Sequence, residues 1–127
     1  MDKTRVLIAD DEAGILELIT AMLDPHDFQV TTALNARDAL TAVLRANAAG
    51  TPYQLVIADI RMPGMSGLVM LQNLNAMEPG LPVLAITGYA TEDLPSQLKQ
   101  FGCLLCIHKP FNKPQLLDGI AKTLATP

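Results

Sequence analysis

At 127 residues and 13.6 kDa the chain is long enough to bury one substantial core and too short for two domains, so residues 1–127 are expected to form a single unit. Half of the residues are hydrophobic and 17% are charged, which fits a folded globular domain rather than a disordered chain. A net charge of -4, with nine basic residues scattered rather than clustered, argues against a nucleic-acid surface on this domain.

The first apolar stretch, 5–9, is short and stops at Asp10, too soon for a signal core or a membrane span, so a cytoplasmic location without membrane association is expected. Asp10, Asp11 and Glu12 follow as acids suited to a helix N-terminus, and Ile15, Leu18, Ile19, Met22 and Leu23 recur at helical spacing before Pro25. Residues 28–33 read as the second strand, and Asn35 caps a helix whose inward stripe is Ala36, Ala39, Leu40, Val43 and Leu44. A third strand, 55–58, runs into Asp59 and the loop sequence RMPGMSG, in which Ser66 is the expected N-cap of a helix carrying Leu68, Leu71 and Leu74. The fourth strand, 82–86, ends at Thr87. Thr91 opens a fourth helix with Leu94, Leu98 and Phe101, which Pro95 shortens or shifts because a proline about a turn in begins to cost a helical bond. The fifth strand, 104–107, leads to Lys109, and Asn112 caps a final helix with Leu116, Leu117, Ile120 and Leu124 facing inward.

Five strands alternating with five helices make a doubly wound α/β domain. Right-handed crossovers leave few arrangements for five parallel strands, and the order 2-1-3-4-5 gives a flavodoxin-like (βα)5 fold with helices on both faces. Such sheets bind ligands beyond the carboxyl ends of their strands, and strands 1 and 3 are then neighbours at the switch point. Asp10, Asp11, Asp59, Thr87 and Lys109 should therefore meet on one rim. One acid at a strand end is more commonly a helix cap, a threonine there a turn residue and a lysine before proline a solvated one; their convergence is what points to a site. Three carboxylates at close range need a cation, and an all-oxygen set with room for water and phosphate suits Mg²⁺. Lys109 and Thr87 can stabilise the oxygens of a transferring phosphoryl group, and Asp59, on the central strand, is the candidate nucleophile.

The motifs IADDE at 8–12, DIRMPGMSGL at 59–68, TGYAT at 87–91 and KPF at 109–111 resemble the receiver domain of two-component response regulators, over essentially the whole chain and in family order. The resemblance implies that Asp59 accepts a phosphoryl group from a histidine kinase. It also implies that Asp11, Asp59 and the backbone carbonyl of Arg61 ligate Mg²⁺, with Asp10 acting through coordinated water. Thr87 and Lys109 would hold the phosphoryl oxygens, the Lys109–Pro110 bond would be cis, and Gly88 would leave the phosphoryl group room. Partners implied are a histidine kinase or phosphotransfer protein and an effector domain or downstream protein, with a homodimer left open. The domain is not an enzyme on outside substrates but supplies groups for its own phosphorylation and slow hydrolysis.

One departure concerns output. Receivers usually carry Tyr or Phe three residues before the lysine, and this chain has Cys106 there. The fourth helix, fifth strand and fifth helix form the output face in the family, so activation is expected to show as reordering around 91–101, with Tyr89 in a position to cover the vacated space. Cys103 and Cys106, three apart in an apolar run, read as two small buried hydrophobes on opposite faces, without the further ligands a zinc site needs. His26 and His108 read as solvent-facing. Other classes stay behind the switch: a docking adaptor independent of phosphorylation, a flavin or nucleotide binder, for which no Gly-rich loop follows the first strand, and a hydrolase.

Overall fold

The structure, a computed structural model, describes residues 3–61, 67–88, 94–103 and 105–125. Five parallel strands, β1 (Thr4–Ala9), β2 (Phe28–Ala33), β3 (Leu55–Asp59), β4 (Val83–Thr87) and β5 (Leu105–His108), form one sheet in the order β2-β1-β3-β4-β5. The helices between and after them are α1 (Ala13–Met22), α2 (Ala36–Ala48), α3 (Gly67–Met77), α4 (Leu94–Gln100) and α5 (Lys113–Ala125). This is the fold and strand order expected from the sequence. No helix among the described residues is long and apolar enough to cross a membrane.

Strand runs with no polar interruption are required because β1, β3 and β4 are covered on both faces. Val6, Leu7, Ile8, Leu55, Val56, Ile57, Leu84 and Ala85 are each fully buried. Alternation divides them between two cores. Leu7, Ala9, Val56, Ala58 and Ala85 pack with α2, α3 and Leu98 of α4, whereas Val6, Ile8, Ile57, Leu84 and Ile86 pack with α1 and α5. Removing each of the valine, leucine and isoleucine side chains among these from water contributes about 1.5–3 kcal/mol.

Asparagine caps set two of the helix starts. Asn35 Oδ1 accepts the Asp38 N–H at 2.8 Å at the head of α2. Before α5, Asn112 Oδ1 accepts the Gln115 N–H while Gln115 Oε1 accepts the Asn112 N–H, each at 2.9 Å, a reciprocal box that satisfies two donors. Pro95 lies in the first turn of α4, where a missing N–H costs no helical bond. The cap expected at Ser66 and the helix opening at Thr91 lie outside the described residues.

The helix faces differ in part from expectation. Leu16, Ile19 and Leu23 line the sheet side of α1, and Leu18 is 43% exposed; on α2 and α5, Leu44 and Leu124 point outward at 57% and 41%. Apolar residues occur at most positions of α1, so spacing alone admits more than one rotation, and the contact with the sheet selects one. Cys103 and Cys106 also depart from opposite faces. Cys103 precedes β5, so strand alternation does not govern it, and both thiols pack in the core shared by α2, α3 and α4. Cys103 is buried, its Sγ 3.3 Å from the Val83 carbonyl oxygen, and Cys106 is half-buried. Burial pushes both thiols up, Cys106 to about 11, so they stay protonated at neutral pH and behave as small apolar groups.

At the foot of α3 the chain turns back onto β3, and the Gly67 N–H donates to the Ile60 carbonyl at 2.8 Å. A Cβ at Gly67 would collide with the Ile60 backbone, whereas one at Gly14 in α1 meets nothing within 4 Å. Gly67→Ala is expected to destabilise the fold by about 2 kcal/mol, through backbone displacement. Gly14→Ala should stabilise it by about 0.5–1 kcal/mol, through the lower entropy of the unfolded chain. Urea denaturation midpoints of the two variants check this, and equal behaviour would refute it.

Candidate phosphoryl-handling site at the strand ends

β1, β3, β4 and β5 each lead a polar residue to the same edge, and the backbone ladder fixes where. The Asp10 N–H donates to the Ala33 carbonyl at 3.1 Å, Asp59 is the last residue of β3 in register with Ile86, and the Lys109 N–H donates to the Thr87 carbonyl at 2.8 Å. These bonds carry sheet geometry one residue beyond β1 and β5. The Lys109–Pro110 peptide bond is cis, as the resemblance implies.

Lys109 joins the first and third strands. Its Nζ lies 3.0 Å from Asp10 Oδ2 and 3.0 Å from Asp59 Oδ2, with Glu12 Oε1 at 3.8 Å. Both buried carboxylates use their oxygens in the same way. Asp10 Oδ1 accepts the Glu12 N–H and Asp59 Oδ1 accepts the Arg61 N–H, each at 2.9 Å, so one oxygen holds the turn that follows and the other faces the ammonium. Asp10 and Asp59 are 1% and 4% exposed, and two ionised carboxylates so far from water require a paired cation.

Burial raises the Asp10 pKa above its ordinary value; the Glu12 N–H and the Lys109 ammonium pull it back without cancelling the effect, and the Asp59 charge adds to the rise. Burial alone would lower the Lys109 pKa, but its hydrogen bonds to Asp10 and Asp59 outweigh that and raise it. Lys109 is therefore fully charged at neutral pH.

Thr87 ends β4 on the same edge and is 1% exposed. Asp11 is exposed, and its carboxylate lies with those of Asp10 and Glu12 in a group whose oxygens are within 4.8 Å of one another. Asp59 is outside that group, linked to it through Lys109. Sequence reasoning treated Glu12 as a helix-start acid only; its adjacency to Asp10 and Asp11 was the available signal. Gly88 is exposed beside the Lys109 side chain, and a Cβ there would stand 3.9 Å from the lysine Cβ and Cδ. Tyr89, Met62 and Met65 lie outside the described residues. His26 and His108 are both exposed, as expected.

An all-oxygen donor set of clustered acids fits a hard divalent cation such as Mg²⁺, which takes one or two carboxylates and keeps several waters. The lysine opposite adds a point charge for an anion, so the edge can accept a cation and a phosphoryl group together.

The sequence model of the response regulator receiver domain matches residues 6–121. The chain belongs to the receiver-domain family. It is 28% identical over 124 residues to sporulation initiation phosphotransferase F of Bacillus subtilis strain 168, covering 98% of this chain and 96% of that protein. It is 33% identical over 122 residues to the C4-dicarboxylate transport transcriptional regulatory protein DctD of Pseudomonas aeruginosa, covering 96% of this chain but 25% of that one. Among solved structures, a CheY-like receiver domain protein from Methanospirillum hungatei JF-1 superposes with a TM-score of 0.86 at 28% identity, covering 97% and 94% of the two chains. The receiver thus spans nearly the whole of one relative and a quarter of another. Receiver domains are phosphorylation-based signalling modules of two-component systems rather than enzymes on outside substrates.

The raised Asp10 pKa carries a sign for stability. The folded receiver binds this proton more tightly than the unfolded chain, so ionised Asp10 costs stability above its folded pKa, and the cost fades as pH falls through that value toward the ordinary 3.8. In the presence of a chelator, Asp10→Asn is expected to stabilise the receiver at pH 7. The gain should vanish as pH falls toward 3.8. Urea titrations of both proteins across that range test it, and a gain independent of pH would refute the assignment.

Proposed function

We propose that residues 1–127 form one receiver domain working as a phosphorylation-operated switch, in which Asp59 accepts a phosphoryl group from the phosphohistidine of a histidine kinase or phosphotransfer protein. The phosphorus–nitrogen bond breaks, an Asp59 carboxylate oxygen forms the new phosphorus–oxygen bond, and the imidazole leaves. The observation that carries this reading is the Lys109 ammonium at 3.0 Å from both Asp10 and Asp59. An ammonium already beside the acceptor oxygen needs little movement to pair with a phosphoryl oxygen.

Asp10, Asp11, Asp59 and the backbone carbonyl of Arg61 would hold Mg²⁺, Asp10 through coordinated water. When bound, the cation supplies the positive charge that lets the acidic rim and an incoming phosphoryl group share one place. Thr87 donates its hydroxyl to a phosphoryl oxygen, and Lys109 moves its pairing from the Asp59 carboxylate to the phosphoryl group. Slow hydrolysis on the same groups returns the domain to its resting state. The relatives named as transcriptional regulatory proteins support an effector domain or downstream protein as reader of the switch, with a second copy of the chain as a further partner.

Output runs through α4, β5 and α5. Cys106, half-buried where the family usually carries an aromatic ring, packs in the core on the α4 side and has no ring to swing. The change on phosphorylation therefore falls on α4 itself, a helix of only seven residues.

Wild-type protein with acetyl phosphate and Mg²⁺ should gain one phosphoryl group by intact mass, while Asp59→Asn, or a chelator, should reduce labelling to background. Labelling of Asp59→Asn at the wild-type rate would identify another acceptor. Beryllofluoride with Mg²⁺ should change amide exchange in α4, measured by mass spectrometry. Unchanged exchange there despite occupancy would remove α4 from the output.

A further inference from the structure

The edge strand β2 carries a second polar surface far from the acidic rim. Strand alternation turns Arg5 of β1 and Gln29 and Thr31 of β2 toward α2, and Arg5 stands opposite Gln29 in the parallel register. On this face the central strands carry core aliphatics, but β2 offers a polar pair, and α2 opposes it with small residues, Ala42 and Ala46. A cleft of about 500 Å³ remains between them, closed at its lower end by Thr51 and the half-buried Tyr53 and flanked by Arg45. That volume is in the range of small-molecule sites.

The charges in the cleft run against those of the chain. The net charge is -4, yet among the described residues that line the cleft the ionisable groups besides Tyr53 are two arginines, with no carboxylate. Neither Arg5 nor Arg45 makes an ion pair among the described residues. Arg45 in the last turn of α2 complements the helix dipole, which accounts for its charge but not for the cleft beside it. Arg5 is held in place: its Nε donates to the Pro52 carbonyl at 2.8 Å, which leaves the terminal nitrogens of the guanidinium for another acceptor.

We propose that this cleft is a binding site for a small organic phosphomonoester of about mononucleotide size. Two guanidinium groups match the two negative charges of the phosphate, and the hydroxyls of Thr31 and Thr51 can donate to its remaining oxygens. The cleft is larger than a bare phosphate needs, and the ring of Tyr53 with the methyl groups of Ala42 and Ala46 gives the organic body an apolar wall. The site lies at the amino end of β1, with Asp10 at its carboxyl end about 16 Å away, at roughly 3.3 Å per strand residue. It owes nothing to the chemistry of the acidic rim.

Adenosine monophosphate is the probe, titrated into the isotope-labelled full chain with a chelator present and followed by amide chemical shifts. Saturable shifts are expected at Gln29, Thr31, Ala46 and Thr51, with affinity about tenfold or more above that of adenosine or inorganic phosphate alone. Arg45→Glu, an exposed change whose melting curve reports folding, should weaken binding by a similar factor, and Thr31→Asp is the second variant with the same expected loss. No saturation, shifts confined to Asp10, Asp59 and Lys109, equal binding of adenosine or of inorganic phosphate, or unchanged affinity in both folded variants would each overturn the assignment.

Discussion

Two carboxylates with almost no access to water sit within hydrogen-bonding distance of one ammonium, and the working edge of this receiver is organised around that triad. Asp10 and Asp59 are driven into the sheet edge by the strands that precede them, each an apolar run with no alternative burial. Left alone the two charges would repel each other, and burial makes Asp10 resist ionisation, as its raised pKa records. Lys109 offsets part of that conflict from a third strand, which ties β5 to β1 and β3 across the edge without β5 pairing its backbone with either. In the proposed function, the same ammonium that pairs with both acids in the resting domain is the charge offered to an incoming phosphoryl group. On that proposal one group makes both a resting contact and a switching contact, and a phosphoryl group on Asp59 would redistribute the partners of Lys109.

The turns after the two aspartates extend this economy. Each carboxylate accepts, through one oxygen, the backbone N–H two residues on, so the acids shape the loops that carry Asp11, Glu12 and Arg61. Acid identity is thus tied to loop geometry as well as to charge. On the opposite end of β1 the logic reverses: Arg5 holds the loop before β3 through Pro52 and Gln54, and the arginine charge there has no carboxylate paired with it among the described residues. One strand therefore begins in an anion-seeking surface and ends in a cation-seeking one.

The face proposed for output is built differently from the acidic edge. Input residues are anchored by ladder hydrogen bonds on several strands, whereas α4 contributes one fully buried described side chain, Leu98, and spans less than two turns. Low burial of this kind is what local opening requires. Cys106 places a small, half-buried thiol against the core beneath this surface, which is why the proposed function assigns transmission to the helix rather than to a side-chain rotation.

Strand order and the convergence of Asp10, Asp59, Thr87 and Lys109 were legible because a strand buried on both faces has to be a continuous apolar run, and such a run announces both its extent and the polar residue that ends it. Helices were legible as elements through the Asn35 and Asn112 caps, but their rotation was not: Leu18, Leu44 and Leu124 belong to stripes that fit the spacing equally well as the faces actually buried. The positions of Cys103 and Cys106 escaped for a related reason, since alternation applies only within a strand and Cys103 lies before β5 begins. By itself, then, the sequence determined which residues are apolar, where the runs stop and which chemistry waits at their ends. The tertiary structure alone decided which side of each helix meets the sheet, that one lysine lies between Asp10 and Asp59, and that two arginines flank an open cleft, because each of these depends on distances between segments far apart in the chain.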